Sequence, residues 1–493
     1  FARMTDRPAA TLLHLGCGIG NGLANLHNAR KARVPMINII GDHATYHVQY
    51  DVQLQSDIET VARNCSSWVR TSASTEQLAE DAAEAVRVAV GPPAQISTLI
   101  LPADVSWSDG ASAVDAEAPA TPTLADDDVV EQIAKVLSSG KETALLLGRR
   151  VLREDGLQAA SRIAEKTGAK LFCEVFPTRL QRGAGLPHVE RIAYLAEMAS
   201  VQLNEFEHLV LVDARAPATF FAYPGKKSYL VPDHCEVHNL LEPEQDALGS
   251  LARLVDAVDA TDTPPNLLEP RRPDLPSGKL TAPKVCQAIG ALLPENVIIS
   301  DEGQTSGVQL PAFTANAPKH DLLTLTGGAI GQGLPVAIGA AVACPDRPVL
   351  ALVGDGTAMY TNQALWTMVN EDLDVTVIVF NNRSYAILNV ELERVGAEGA
   401  GDKARSQLDL SEPPIDFANL ARSMGMSATS VSTAEGFNKA LQHAFDEPGP
   451  HLIDAIVPSE FTGLKLKALP HVLGALHSVP AGLAKLIKKK IAP

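Results

Sequence analysis

The segment Gly354-Asp355-Gly356-Thr357 closes an uncharged run that begins at Pro348, and the pair Asn381-Asn382 follows downstream. Val349-Leu350-Ala351-Leu352-Val353 is the short apolar run that a parallel strand buried on both faces requires, and Gly354 breaks it into a turn. Leu365, Met368 and Val369 then recur at helical spacing, which predicts a helix with one apolar stripe over 362–371 and a second strand over 375–380. Strand, helix and strand in this order form a parallel crossover, which constrains the chain to an open α/β sheet. Asp355 and Asn382 fall at the carboxyl ends of the two strands, the edge where such sheets bind their ligands.

The residue types suit a metal and a phosphate. A hard divalent cation such as Mg²⁺ takes oxygen ligands, combining one or two protein groups with phosphate oxygens and water. Asp355 offers charge, the Asn382 amide offers a neutral oxygen, and Gly354 and Gly356 leave room for a diphosphate to approach the backbone. A capped strand-end turn would explain a Gly-Asp-Gly alone; the added helix, strand and Asn-Asn weigh toward the ligand site. A strand-end carboxylate is not core, so Asp355→Ala is expected to leave the fold intact.

Together, Gly354-Asp355-Gly356 through Asn381-Asn382 resembles the thiamine-diphosphate motif of the acetolactate synthase, benzoylformate decarboxylase and pyruvate decarboxylase superfamily. The similarity runs from Arg3 to about Pro458. It implies three doubly wound parallel-sheet α/β domains: pyrimidine-binding over 1–111, middle over 128–258 and diphosphate-binding over 278–458, with a tail over 459–493. It also implies that Asp355, the Asn382 side chain and the Ser384 carbonyl hold Mg²⁺ on the cofactor diphosphate, with Gly354, Gly356, Thr357 and Tyr385 around it. Upstream, Thr326-Gly327-Gly328-Ala329-Ile330-Gly331 resembles the segment that bends the cofactor, the Gly328 carbonyl accepting from the aminopyrimidine and Ile330 wedged between the rings. Asp301-Glu302-Gly303-Gln304-Thr305 resembles the strand-end loop near the diphosphate and adds Gln304 and Thr305. Read without the downstream motif, Ile330 is core packing and the glycines a tight helix entry.

At the amino end, residues 11–15 read as a strand, Gly16-Cys17-Gly18-Ile19-Gly20-Asn21-Gly22 as a turn and 23–33 as a helix. A dinucleotide fingerprint would need glycine at Asn21 or Leu23, so it is excluded. The segment resembles instead the Gly-rich turn of the pyrimidine-binding domain, which a His precedes in benzoylformate-decarboxylase-like members. That points to His14 and Asn21 as catalytic or substrate groups; a structural strand-end histidine is the ordinary alternative. Next, Gly41-Asp42-His43-Ala44-Thr45-Tyr46-His47 follows a strand over 35–40. Two histidines four apart could share a helical face and bind zinc, although the HExxH pattern is missing. The superfamily uses this loop near the substrate, so His43 and His47 join the substrate-side candidates, with a solvated loop as the alternative.

Superfamily members carry a catalytic Glu ahead of the strand read over 11–15, and Phe1-Ala2-Arg3-Met4 resembles the helix end that follows it. The acid is not in this sequence. Either the chain is a fragment of a longer protein or it is a truncated homologue without that acid; the retained metal and glycine motifs favour the fragment.

A length of 493 residues suits about three domains, each able to bury a core. With 41 basic and 58 acidic residues the net charge is −17, which argues against a nucleic-acid partner, since phosphate binding needs a basic face. Cysteines 17, 65, 173, 235, 286 and 344 form no CxxC pair and read as reduced thiols of a cytoplasmic protein. Nothing approaches eighteen uninterrupted apolar residues, and Leu334 to Cys344 reads as a buried helix, so no stable membrane insertion is expected. Residues 112–127 and 259–277 read as linkers, and strands over 144–147, 170–173, 208–212 and 228–231 build a middle α/β domain between them. There Gly148-Arg149-Arg150 could meet an anion, with a strand-end turn the simpler reading. The corresponding domain of acetolactate synthases often binds FAD, but no residue pattern here marks such a site. Residues 483–491 form a basic amphipathic tail, better read as a solvated helix than as a membrane contact.

The resemblance implies thiamine-diphosphate- and Mg²⁺-dependent decarboxylation of a 2-oxo acid with carboligation, as in acetolactate synthases. A simple decarboxylase of benzoylformate type, or a cofactor-binding homologue with impaired catalysis, are the alternatives. It further implies a homodimer or homotetramer whose active sites lie between copies.

Overall fold

Short apolar runs separated by helical stretches assemble into three predominantly parallel sheets. The computed structural model describes residues 1–115, 117–397 and 401–459, so the basic tail lies outside the described residues. The chain forms two compact units. One holds Phe1–Leu124, Glu242–Asp246 and Leu325–Gln332; the other holds Ala125–Leu241, Ala247–Thr324 and the described residues from Gly333 onward.

The first unit contains β1 (Ala9–His14), β2 (Met36–Asp42), β3 (Trp68–Thr71) and β4 (Ile96–Pro102), ordered β1-β2-β4-β3 and parallel throughout. A helix, Leu15–Lys31, starts directly where β1 ends. Its Leu15, Ile19 and Leu26 pack with Ile40, Ile58 and Ile100. This corrects the expected turn: Gly16, Gly18, Gly20 and Gly22 are inside the helix. Glycine disfavours a helix by only about 1 kcal/mol per residue, so burial of one apolar stripe overrides it. Space requires the first of them, because a Cβ on Gly16 would lie 2.0 Å from Ser56 Oγ.

In the second unit the middle sheet uses β5 (Thr143–Leu147) and β6 (Lys170–Cys173); β7 (Leu180–Arg182) leaves it for the third sheet. With β8 (Glu190–Arg191), β9 (His208–Val212) and β10 (Glu236–Asn239), its order is β10-β9-β5-β6-β8. The strand expected over 228–231 does not form. Leu230 and Val231 are buried, but Tyr229 makes only an isolated bridge to Ala218 and Pro232 cannot donate to a ladder. β10 takes the edge instead; its sequence Glu-Val-His-Asn hides it, because only His238 is fully buried.

The third sheet comprises β11 (Ile298–Glu302), β12 (His320–Thr324), β13 (Val349–Gly354), β14 (Val375–Asn381), β15 (Ser427–Val431) and β16 (His451–Ile456). Their order is β15-β16-β14-β13-β11-β12-β7, and β7 alone runs antiparallel. The central β13 and β14 are buried almost end to end. Leu350, Leu352, Ile378 and Phe380 are fully enclosed, each contributing roughly 1.5–3 kcal/mol. The parallel α/β class and the central crossover match the expectation from sequence. Gly354 is followed by a short helical turn, Asp355–Ala358, before the helix Ala364–Asn370.

Candidate active site

β14, β13 and β11 are neighbours, with Gly354 paired to Phe380 and Val353 to Glu302. Three chain exits therefore leave one sheet edge at the same level. Asp355 follows β13, and its Oδ1 accepts from the Gly356 N–H at 2.8 Å. Its Oδ2 accepts from the Arg383 N–H at 2.5 Å, which ties the exit of β13 to that of β14. The residue is only 3% exposed, which corrects the expectation that this strand-end carboxylate lies outside the core. Burial pushes its pKa up to about 6, opposed by the backbone N–H groups of Gly356, Arg383 and Ser384. These donors are all neutral. A buried carboxylate held this way still lacks a compensating charge, and a hard divalent cation supplies one.

The two asparagines divide their roles. Asn381 is buried and donates to Asp454 Oδ1 at 3.0 Å, bracing β14 against β16. Asn382 is half-buried: its Oδ1 accepts from the Ser384 N–H at 2.9 Å and its Nδ2 donates to Ser306 Oγ at 3.2 Å. Arg383, which follows Asn382, has φ 57°, a left-handed turn that points the chain back toward Asp355. From the helix Ala386–Arg394, Asn389 Nδ2 donates to Ser384 Oγ at 3.1 Å. A Cβ on Gly356 would lie 2.2 Å from the Tyr385 ring, whereas one on Gly354 would meet nothing nearer than 3.7 Å. Thr357 is buried in the helical turn. After β11, Gln304 and Thr305 are half-buried, Gln304 with φ 49°. The neighbouring Ser306 was missed; only the fold brings it to Asn382, 76 residues away.

In the first unit, the segment Leu325–Gln332 lies against the helix Leu15–Lys31. Asn28 Nδ2 donates to the Ala329 carbonyl at 2.7 Å, and its Oδ1 accepts from the Ala329 N–H at 3.2 Å. Asn25 Nδ2 donates to the Gly331 carbonyl at 3.3 Å, and His27 Nε2 is 3.1 Å from the Gly327 carbonyl. Gly328 has φ 76°, and both it and Ile330 are half-buried. Asn28 thus fixes the segment as a strand neighbour would, a role with no local sequence signal. A side chain at Gly327 would collide with it, since a Cβ there would lie 2.5 Å from Asn28 Oδ1.

His14 ends β1, is exposed and pairs in register with Gly41. Leu15, the next residue, has φ 57°, a strained value for a bulky side chain at a sharp strand-to-helix corner. Asn21 is exposed, about two turns further along the helix. The His43 and His47 rings meet edge-to-face with centroids 5.5 Å apart, and the backbone N–H of His43 donates to Asp42 Oδ1 at 2.7 Å. Residues 43–47 form a turn rather than a helical face. Among the described residues no third His, Cys, Asp or Glu completes a metal group with them. No hydrogen bond or ring contact joins His14 or Asn21 to this pair among the described residues. In the second unit, Gly148 and Arg149 form the strand-end turn, with Arg149 ion-paired to Asp213.

Two family descriptions match this arrangement: the N-terminal TPP binding domain of thiamine pyrophosphate enzymes over residues 1–62 and their C-terminal TPP binding domain over residues 301–455. The chain is 55% identical over 460 residues to the Mycobacterium tuberculosis protein named "Putative acetolactate synthase large subunit IlvX", covering 93% of this chain and 88% of that protein. It belongs to the thiamine-diphosphate-dependent enzymes, in the family of acetolactate synthases and benzoylformate decarboxylases. A benzoylformate decarboxylase of Pseudomonas aeruginosa is 26% identical, over 93% of this chain and 89% of that protein. The solved structure of a thiamine diphosphate-dependent 4-hydroxybenzoylformate decarboxylase from Rhodococcus jostii RHA1 shares the fold, with TM-score 0.81 and 22% identity over 94% of this chain and 89% of that one. The edge carrying Asp355 fits the cofactor's diphosphate and its cation: a buried carboxylate whose hydrogen-bond donors are neutral backbone N–H groups, beside Gly354, where a side chain would meet nothing nearer than 3.7 Å.

Proposed function

We propose that this protein catalyses Mg²⁺-dependent decarboxylation of a 2-oxo acid with carboligation, in the manner of an acetolactate synthase. The observation that carries the reading is Asp355, enclosed between the exits of β13 and β14 with neutral N–H donors around its carboxylate. Asp355, the Asn382 side chain and the Ser384 carbonyl would hold the cation. Gly354, Gly356, Thr357, Gln304, Thr305 and Tyr385 would line the diphosphate, and Gly328 and Ile330 would meet the cofactor rings. When bound, thiamine diphosphate supplies the electron sink for loss of carbon dioxide. The protein's share would be placement: N–H donors hold Asp355 and Asn382 where they would meet the cation, and preset backbone turns cost no reorganisation during reaction.

His14 would move a proton at the substrate, with Asn21, His43 and His47 as further substrate-side groups. The strained Leu15 corner supports His14, since strain of this kind clusters at functional positions. A simple decarboxylase of benzoylformate type is the second reading, favoured by that exposed strand-end histidine. The 55% identical relative tips the balance to the acetolactate-synthase type. A homo-oligomer and a cytoplasmic setting complete the proposal; the described helices include none long and apolar enough to cross a membrane.

The test is a panel of 2-oxo acids, aliphatic and aryl, incubated with thiamine diphosphate and Mg²⁺ and analysed for both aldehydes and hydroxyketones. Acetohydroxy acids from aliphatic substrates are expected. Aldehyde alone from aryl substrates would favour the second reading, and carbon dioxide from none of them would overturn both.

A further inference from the structure

β9 and β10 pair in parallel with Glu236 opposite His208, and His238 lies two residues further along β10. Directly paired residues share a face of a sheet, as do residues two apart on one strand. Topology alone therefore sets the three side chains on one face at the edge of the middle sheet. There they converge. His208 Nδ1 is 3.1 Å from His238 Nε2, and Glu236 Oε2 is 3.8 Å from the first nitrogen and 4.0 Å from the second. The His208 and His238 side chains are 10% and 6% exposed, whereas the Glu236 side chain is 66% exposed.

We propose that His208, Glu236 and His238 form a divalent transition-metal site for which Zn²⁺ is the fitting ion. Bonds of about 2.0–2.2 Å from zinc to nitrogen or oxygen place tetrahedral ligands roughly 3.3–3.6 Å apart. The present separations bracket that value, so small side-chain shifts admit the ion, and the exposed side of Glu236 leaves a fourth position for water. Two nitrogens and one carboxylate oxygen suit zinc better than magnesium or calcium, which prefer all-oxygen shells. Without metal, two neutral rings facing nitrogen to nitrogen share one proton and one hydrogen bond.

This site is separate from the cofactor chemistry. His208 and Glu236 are the first residues of their strands, at the amino edge of the middle sheet, whereas Asp355 lies at the carboxyl edge of the seven-stranded one. β10 is a terminal strand of four residues paired only to β9. A bound ion would cross-link that edge and stabilise the fold by mass action.

The experiment uses the untagged chain, stripped with chelator and titrated with Zn²⁺ alone at pH 7.5 by calorimetry, with melting temperature followed in parallel. One ion per chain and a melting point raised by several degrees are expected. Loss of outer-shell partners alone costs metal affinity about 10–100-fold, so Glu236→Ala and His238→Ala should each cost at least that much and erase the thermal shift. His47→Ala should leave both unchanged. Should His238→Ala fail to fold, Glu236→Ala still decides the matter, because its side chain is exposed and its metal-free melting point should equal that of the parent. Undiminished one-to-one binding in Glu236→Ala, binding lost in Asp355→Asn instead, or no stoichiometric binding would each overturn the proposal.

Discussion

At the carboxyl edge of the seven-stranded sheet, the Asp355 carboxylate takes N–H donors from its own turn and from the exit of β14, and Asn382 bonds both Ser384 and Ser306. At the carboxyl edge of the four-stranded sheet, His14 stands exposed at the end of β1, while His43 and His47 touch each other in a turn. One edge is prebuilt, its polar groups already spent on holding one another in place. The other offers an exposed His14 and a half-buried His43 whose enclosed Nε2 makes no hydrogen bond. Binding a cofactor rewards the first arrangement, because ordering costs are met on folding; proton movement at a variable substrate suits the second.

The largest effect should come from the prebuilt edge. Asp355→Asn removes the charge but keeps an acceptor for one of its two N–H donors. Thiamine diphosphate affinity in the presence of Mg²⁺ is expected to fall at least about a hundredfold, ~2.7 kcal/mol, in a protein that still folds. Asp355→Ala should add a stability loss of about 1–3 kcal/mol, since the Gly356 and Arg383 N–H groups lose their buried acceptor. Calorimetric titration and urea denaturation separate the two effects. Unchanged affinity in folded Asp355→Asn would mean that the edge is prebuilt for the fold and not for a cation.

Gly356→Ala comes next. Its Cβ would lie 2.2 Å from Tyr385 Cε1, so the ring must swing away, at a cost of about 1–3 kcal/mol. If that ring is the obstacle, adding Tyr385→Ala should recover part of the loss, with a coupling above about 0.5 kcal/mol in the double-mutant cycle. Additive losses would place the strain in the backbone and weaken the contrast between the edges.

The sequence showed the prebuilt edge more clearly than the open one, and the reason is physical. β13 and β14 are buried on both faces, so their apolar runs admit one structure, and Asp355 and Asn382 follow at fixed offsets. The residues that complete the edge were invisible: Ser306 reaches Asn382 only across the sheet, and Asn28 reaches Ala329 across 301 residues. At the amino end, glycine spacing suggested a turn, but local preference there is weaker than the burial of Ile19 and Leu26. β10 has no apolar run to show it, because an edge strand need not be apolar, whereas 228–231 buries Leu230 and Val231 but leaves Tyr229 in solvent and makes only an isolated bridge.

The smallest effect tests the open edge from beneath. Gly20 is exposed in the helix Leu15–Lys31, and a Cβ there would meet nothing within 4 Å. Gly20→Ala should therefore stabilise the protein by about 0.5–1 kcal/mol, because alanine loses less backbone freedom in a helix. Gly16→Ala should have the opposite sign, since its Cβ would lie 2.0 Å from Ser56 Oγ. Urea denaturation followed by circular dichroism reads both, and cofactor affinity should not change in Gly20→Ala. If that variant is destabilised instead, Gly20 serves a turn and the helix starts near Leu23. His14 would then sit at a loop that could close on substrate, and the contrast with the edge at Asp355 would be one of mobility as well as of bonding.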